Sequence, residues 1–262
     1  MNQAMRPAKP RPSWGLWAAI IGVVGGMTLW SAWGVGLSAT EFFCNIGGGG
    51  RLLRESWPPD FAFLPRLWGP FLETLQIALI GTVVGGILAI PVAVLAARPI
   101  SPNRTTWFVD RNFMNVLRTM PDLFWAMLFA AAVGFGPLAG ALALSVFTVA
   151  VVSKLFSESM ESIDMNLPEA VRASGGTWLE MVRFSVLPQV WPQYASYVMY
   201  AFELNVRASM VLGLVGAGGI GMILNTQRAS FEYERVTMII LMVLVAVLVI
   251  EQISIAVRRR LI

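Results

Sequence analysis

NLPEAVRASGGTWLEMVRFSVLP, residues 166–188, is the longest polar-rich break between hydrophobic spans that still reads as structured. Asn166 is placed to cap a helix, with Glu169 three residues later as its reciprocal partner. Ala170, Val171 and Ala173 continue that helix, and Gly175-Gly176 end it. Thr177 then caps a second helix with Glu180 as partner, and Pro188 closes the unit because proline cannot donate into a continuing helix. The expectation is two short helices meeting at a Gly-Gly corner between two membrane spans, a rigid elbow suited to docking a partner.

The rest of the composition sets the elbow in a membrane. Of 262 residues 56% are hydrophobic and only 13% charged, with a mean hydropathy of +0.68. A soluble domain carries about 25% charged residues. The net charge of +4 does not point to nucleic acid, because the basic residues sit in interhelical segments, where they set topology. A single cysteine, Cys44, excludes an intrachain disulfide, and the absence of histidine excludes His-dependent metal and catalytic sites.

Taken in order, residues 1–13 are basic and proline-rich and read as a tail. Residues 14–37 are long enough to span a bilayer and longer than the about 7–15 residues of a signal-peptide core, so an uncleaved first span is expected. Residues 38–69 read as a polar loop, made flexible by Gly47–Gly50 and stiffened at Trp57-Pro58-Pro59-Asp60. No Gly-Lys-Ser/Thr follows the four glycines, so they are not a phosphate cradle. Further spans are expected near 71–97, 117–135, 138–152 (continuing amphipathically to Glu161), from Trp191 up to a glycine-rich interruption at 213–221, and at 236–257.

Charge bias orients this layout. Only Arg51, Arg54, Arg66, Arg228 and Arg235, of 19 lysines and arginines, fall in the odd-numbered connections. All the others except Arg207 lie in the termini and even-numbered connections. The positive-inside rule therefore puts both termini and the elbow in the cytoplasm.

No enzyme constellation is present. The carboxylates are scattered without ligand spacing, and no Walker A sequence appears. The segments outside the membrane are too short for a nucleotide-binding domain. Uphill transport by such a chain needs an ion gradient or a separate ATPase.

The elbow decides between these. Glu169-Ala170, then Gly175, then Leu187-Pro188 fall at the spacing of the EAA loop that this stretch resembles, that of ABC-importer permeases; Val171 stands for its second Ala and Ser185 for its Ile. ETLQIALIGTVVGG (73–86), LRTMPDLFWAMLF (117–129), GFGPLAGALAL (134–144), KLFSESMESID (154–164) and NVRASMVLGLVGAGGIG (205–221) are similar to phosphonate ABC-transporter permeases, as is Trp57-Pro58-Pro59-Asp60-Phe61. The 207–221 stretch is also close to methionine permeases.

That resemblance implies an all-α polytopic membrane protein of about six transmembrane helices with a type I ABC-importer permease core. Its parts would be a cytoplasmic tail (1–13), a first transmembrane helix (14–37), an extracytoplasmic loop (38–69) and the core (70–262), including a coupling loop at 164–190. It implies a homodimer in the bacterial inner membrane, two ATP-binding subunits that hold the ATP and Mg, and an extracytoplasmic substrate-binding protein. Glu169, Ala170, Gly175, Gly176, Trp178, Leu187 and Pro188 would carry the coupling, and Pro58, Pro59, Asp60, Arg228 and Glu232 are candidates to receive the binding protein. No metal, cofactor or nucleic acid is expected on this chain. The cargo would be phosphonate, phosphite or phosphate, with methionine or another small solute as the alternative. An ion-gradient-driven transporter is the rival from another class, disfavoured by the elbow and by the lack of an inverted repeat.

Glu203 and Arg207 lie four apart deep in a span and share a helix face. Two readings stand: Arg207 meets an anionic substrate, or the two residues are a structural pair. Gly213, Gly216, Gly218, Gly219 and Gly221 also carry two readings, a kinked or re-entrant segment lining the outer end of the pathway, or small-residue helix packing.

Overall fold

A computed structural model describes residues 14–261; the tail at 1–13 lies outside the described residues. Every regular element among the described residues is helical. Helix α1 (Trp14–Gly34) and α2 (Ala39–Glu55) belong to one compact unit that ends at Arg54; the second runs from Glu55 onward. Helix α1 is a largely apolar run of 21 residues and buries none of them, as befits a helix whose solvent is lipid. Helix α2 corrects the expected flexible loop: Gly47–Gly50 continue a helix, and no contact within 4 Å demands glycine there.

In the second unit a single 3₁₀ turn (Phe61–Phe63) leads into the 33-residue α3 (Leu64–Ala96), which starts before the expected Phe71. Helix α4 (Arg104–Thr119) replaces the expected basic connection; Asn103 caps it, its side chain accepting from the Thr106 N–H at 2.8 Å. Helix α5 (Asp122–Val133) follows at 90° to α4. The bend has a local cause. Pro121 disfavours helical geometry at the residue before it, and Met120 is extended at φ −83°, ψ 128°. The third span, expected at 117–135, is thus interrupted by this break near its start.

Helix α6 (Pro137–Glu161) starts with proline in its first turn, where the missing N–H costs nothing, and it runs to Glu161 as expected. Helices α7 (Asn166–Ala173) and α8 (Trp178–Met181) form the elbow. A π turn (Val182–Val186) leads into α9 (Leu187–Leu214), followed by α10 (Gly219–Ala229) and α11 (Tyr233–Leu261). Among the described residues five helical stretches are long and apolar enough to cross a membrane, and six if the bent α4–α5 pair is one span.

The second unit is built on close packing of α3 against α6. Gly81 and Gly85, four apart, let the backbones approach: a Cβ at Gly81 would lie 2.5 Å from Leu144 Cβ, and one at Gly85 2.5 Å from both the Ser145 carbonyl oxygen and Thr148 Cβ. One apolar cluster sits where α3, α6 and α9 meet the elbow (Ala93, Ala97, Ile100, Phe156, Met160, Val186). Another joins α3, α5, α6 and α9 (Ile77, Ala126, Leu144, Leu212), and a third joins α3, α10 and α11 (Phe71, Ile220, Ile239). Arg111 ties α4 to the end of α6 through Glu161 at 2.6 Å.

Gly85→Ala is expected to cost about 1–3 kcal/mol through overpacking, seen as loss of monodisperse protein after a heat challenge in detergent. Gly69→Ala on the same helix, where a Cβ meets nothing within 4 Å, is expected to leave the profile unchanged or improve it.

Candidate functional site

The elbow's geometry follows from its caps. Asn166 is not the cap of α7. It lies inside the first turn, and Asp164 Oδ1 accepts its N–H at 3.0 Å. The acidic side chain two residues earlier reaches the free N–H first. At the other end the Gly176 N–H donates to the Val171 carbonyl and the Gly175 N–H to that of Arg172, both at 3.0 Å. This Schellman arrangement puts Gly175 at φ +89°, where a side chain is strained. Gly176 is held for a different reason: a Cβ there would lie 2.7 Å from Val171 Cγ1 and 2.8 Å from its carbonyl oxygen. The expected capping box is present. Thr177 Oγ1 accepts from the Glu180 N–H at 3.3 Å, and Glu180 Oε2 accepts from the Thr177 N–H at 2.7 Å. The backbone and then the side-chain hydrogen bond from Thr177 hold the Glu180 carboxyl below its ordinary range.

Pro188 does not end the unit. It sits in the first turn of α9, and the π turn ahead of it absorbs the lost hydrogen bond, so the chain stays helical from Trp178 to Leu214. The inner face of this run is buried: Met181, Val182 and Val186 pack with Ile100 beyond α3 and with Phe156 and Met160 of α6. Leu187 packs against the same cluster. Trp178 turns inward as well and donates from Nε1 to the Ile100 carbonyl at 2.7 Å, so its indole N–H serves its own chain. Glu169, Ala170, Gly175 and Pro188 are exposed, beside Leu167 (54% exposed), Leu179 (66%) and Phe184 (65%). The elbow therefore carries an outward face of apolar side chains around Glu169 and the Gly175 corner.

Helix α9 carries the charged pair. Arg207 Nη2 lies 2.6 Å from Glu203 Oε1, and the second carboxylate oxygen lies 3.6 Å from Arg258 Nη2 on α11. Glu203 is buried, with 7% of its side chain exposed, whereas 46% of the Arg207 side chain is exposed. One acid thus neutralises part of two cations, and Arg207 keeps an open side. Arg258 reads in sequence as part of a terminal basic cluster; that its guanidinium reaches α9 depends on how α11 packs. Two residues from Glu203, Asn205 donates from Nδ2 to Thr82 Oγ1 at 2.8 Å and to Thr148 Oγ1 at 2.7 Å. This buried knot joins α3, α6 and α9, while Asn205 Oδ1 has no hydrogen-bond partner. An amide between two charged residues in an apolar helix was the available sequence signal for it.

The glycine stretch contains a helix break. Helix α9 stops at Leu214; Gly216, Gly218 and Gly219 have φ of +90°, +83° and +70°, and α10 starts at Gly219. It is also tightly packed. A Cβ on Gly213 would lie 2.6 Å from the Gly218 carbonyl oxygen, and one on Gly221 would strike that of Met210. Interruption and small-residue packing thus describe the same segment. Thr74 of α3 anchors it, its Oγ1 accepting from the Ile220 N–H at 2.8 Å. A cavity of about 510 Å³ opens beside the break, lined by Glu73, Phe135, Gly216, Gly218 and Gly219 among others.

Of the docking candidates, Pro59 is buried and Asp60 is engaged internally. Asp60 caps the 3₁₀ turn through the Ala62 N–H at 3.0 Å and lies 3.4 Å from Arg235 Nε. These residues clamp the start of α3 to the start of α11. Pro58, Arg228 and Glu232 remain exposed, Arg228 bonded to Asn225 and Glu232 paired with Arg235. Among the described residues no group of three or more His, Cys, Asp or Glu is placed to hold a metal.

Comparison with known proteins bears on this geometry. The chain is 38% identical over 235 residues to a phosphite transport system permease protein, PtxC, of Stutzerimonas stutzeri, covering 89% of this chain and 86% of that one. It is 36% identical over 206 residues to a phosphate-import permease protein, PhnE, of Mycolicibacterium smegmatis, covering 78% of this chain and 39% of that one. A solved inward-facing MetNI methionine ABC transporter matches the fold with a TM-score of 0.68 at 21% identity, over 78% of this chain and 99% of the solved one. Residues 89–262 match the model of one family across the elbow, the charged span and the glycine break. The chain belongs to that family, the binding-protein-dependent transport system inner membrane components.

Proposed function

We propose that this chain is the permease subunit of an ATP-driven importer for phosphorus oxyanions, the class spanning phosphonate, phosphite and phosphate. The relatives' substrates and the anion-compatible charge of the α9 cluster support that cargo. Two copies form the pathway, and each exposed elbow seats on an ATPase subunit that holds the ATP and Mg. The exposed ends near Pro58, Arg228 and Glu232 receive a binding protein on the opposite face. The basic bias puts the elbow and both termini in the cytoplasm.

The observation that carries this reading is the helical run from Trp178 to Leu214, which joins the exposed elbow to the charged span without a loop between them. An elbow displaced by ATPase closure moves Glu203, Arg207 and the base of the glycine break with it. The chain itself does no bond chemistry. It offers an anion Arg207, whose partner Glu203 is shared with Arg258, so the guanidinium is incompletely neutralised. The glycine break supplies non-helical backbone beside a cavity at the far end of α9.

Three results test the proposal. The complex reconstituted in proteoliposomes with its binding protein should raise its ATPase rate with phosphonate, phosphite or phosphate; no stimulation by any of the three contradicts the cargo. Glu169→Lys, or Gly175→Val, which adds about 1–2 kcal/mol of backbone strain at the corner, should uncouple hydrolysis from uptake or release the ATPase while membrane insertion persists. Wild-type coupling in both variants contradicts the elbow's role. Gly218→Leu with Gly219→Leu should abolish uptake with assembly intact, and unchanged uptake removes the glycine break from the pathway.

A further inference from the structure

Between α9 and the last turns of α11 lies a cavity of about 460 Å³, lined by Ser196, Ile255, Arg258 and Arg259. Its chemistry is lopsided. Two arginines line it, and among the described residues no acidic residue does. Arg258 is braced from behind: Nη2 lies 3.6 Å from Glu203 Oε2, and Nε donates to the Ser254 carbonyl at 3.4 Å. Glu203 is itself bound to Arg207 at 2.6 Å, so it offsets only part of the charge that Arg258 brings. Arg259 is exposed and in none of the ion pairs found among the described residues. Ser196 is only 9% exposed, and its hydroxyl makes none of the described hydrogen bonds. Ser196, a nine-tenths buried residue with no hydrogen bond described for its hydroxyl, thus lines the same cavity as two arginines. Guanidinium and hydroxyl donors together are the chemistry that recognises an oxyanion.

We infer that this cavity is a binding site for a phosphate-class oxyanion, with Arg258 and Arg259 supplying charge-assisted hydrogen bonds and Ser196 a neutral donor. Ser196 lies in the elbow-proximal half of α9, so the site is on the end of the bundle from which the elbow extends, away from the glycine break. It is distinct from the pathway role given to Arg207 and does not depend on the cargo proposed above. Two sources present the same chemistry at such a place, the phosphodiester headgroup of an anionic lipid and free inorganic phosphate. Apolar Ile255 in the wall is compatible with either.

The full-length chain in nanodiscs tests the site in two arms. In purely phosphatidylcholine discs, inorganic phosphate binding is followed by calorimetry. In discs containing phosphatidylglycerol, lipid retained on the chain is counted by native mass spectrometry. Saturable phosphate binding that weakens by about tenfold or more in Arg259→Gln, as expected for one lost charge-assisted hydrogen bond, supports the free anion as occupant. Retained phosphatidylglycerol that is lost in Arg259→Gln supports the headgroup. Arg259→Gln leaves the Glu203–Arg258 bridge in place, and Ser196→Ala, which removes only the hydroxyl, should weaken the same arm in the same direction. Binding in neither arm, or binding unchanged by both variants, overturns the inference. Loss of oxyanion-stimulated ATPase activity in the wild-type complex bears on the cargo and leaves this result standing.

Discussion

One helical run fixes how this permease can work: the backbone from Trp178 to Leu214 passes from elbow to membrane span with no loop between. A loop there would let the elbow move while the span stayed still. Two prolines threaten the run, Pro188 in its first turn and Pro192 inside it. The π turn at Val182–Val186 widens the hydrogen-bond ladder just before Pro188, so the missing N–H costs a local bulge and not a break. The buried face of Met181, Val182 and Val186 then holds this turn against α3 and α6. Stiffness thus comes from side-chain packing at the point where the backbone ladder is weakest.

Polar groups inside the bundle act on the same helix. The Asn205 amide bonds threonines on α3 and α6, and such bonds between transmembrane helices contribute about 0.6–2 kcal/mol each. Glu203, two residues away, is shared between Arg207 and Arg258. The first contact braces α9 along its own axis, and the second ties it to α11. A buried carboxylate held from both sides keeps a partly exposed arginine in the span without leaving a naked charge in the low-dielectric interior.

Much of this was legible in the sequence. The capping box at Thr177 and Glu180, the Gly175 corner, the Glu203–Arg207 spacing and the end of α6 at Glu161 are local patterns, set by residues three to four apart. Other features depend on long-range packing. Asp164 is the exception, a local contact two residues from Asn166 that takes the role expected of Asn166. Trp178 reads as a docking aromatic until the Ile100 carbonyl arrives from the end of α3. Asp60 and Arg235 are far apart in sequence, and their pairing appears only once α3 and α11 lie side by side. The four glycines of α2 argued for a loop and form a helix.

The most direct test of the central claim is a pair of spin-label distances in the assembled transporter, with Cys44→Ser as background. Labels at the exposed positions Leu179 and Val211 lie near the two ends of the run. A rigid lever requires their separation within one chain to stay constant to about 2 Å, the scale of ordinary helix shifts, while nucleotide binding changes the Val211–Val211 distance between the two copies. A nucleotide-dependent change in the Leu179–Val211 distance, with the intersubunit distance fixed, would mean that the π turn bends and the elbow does not drive the span.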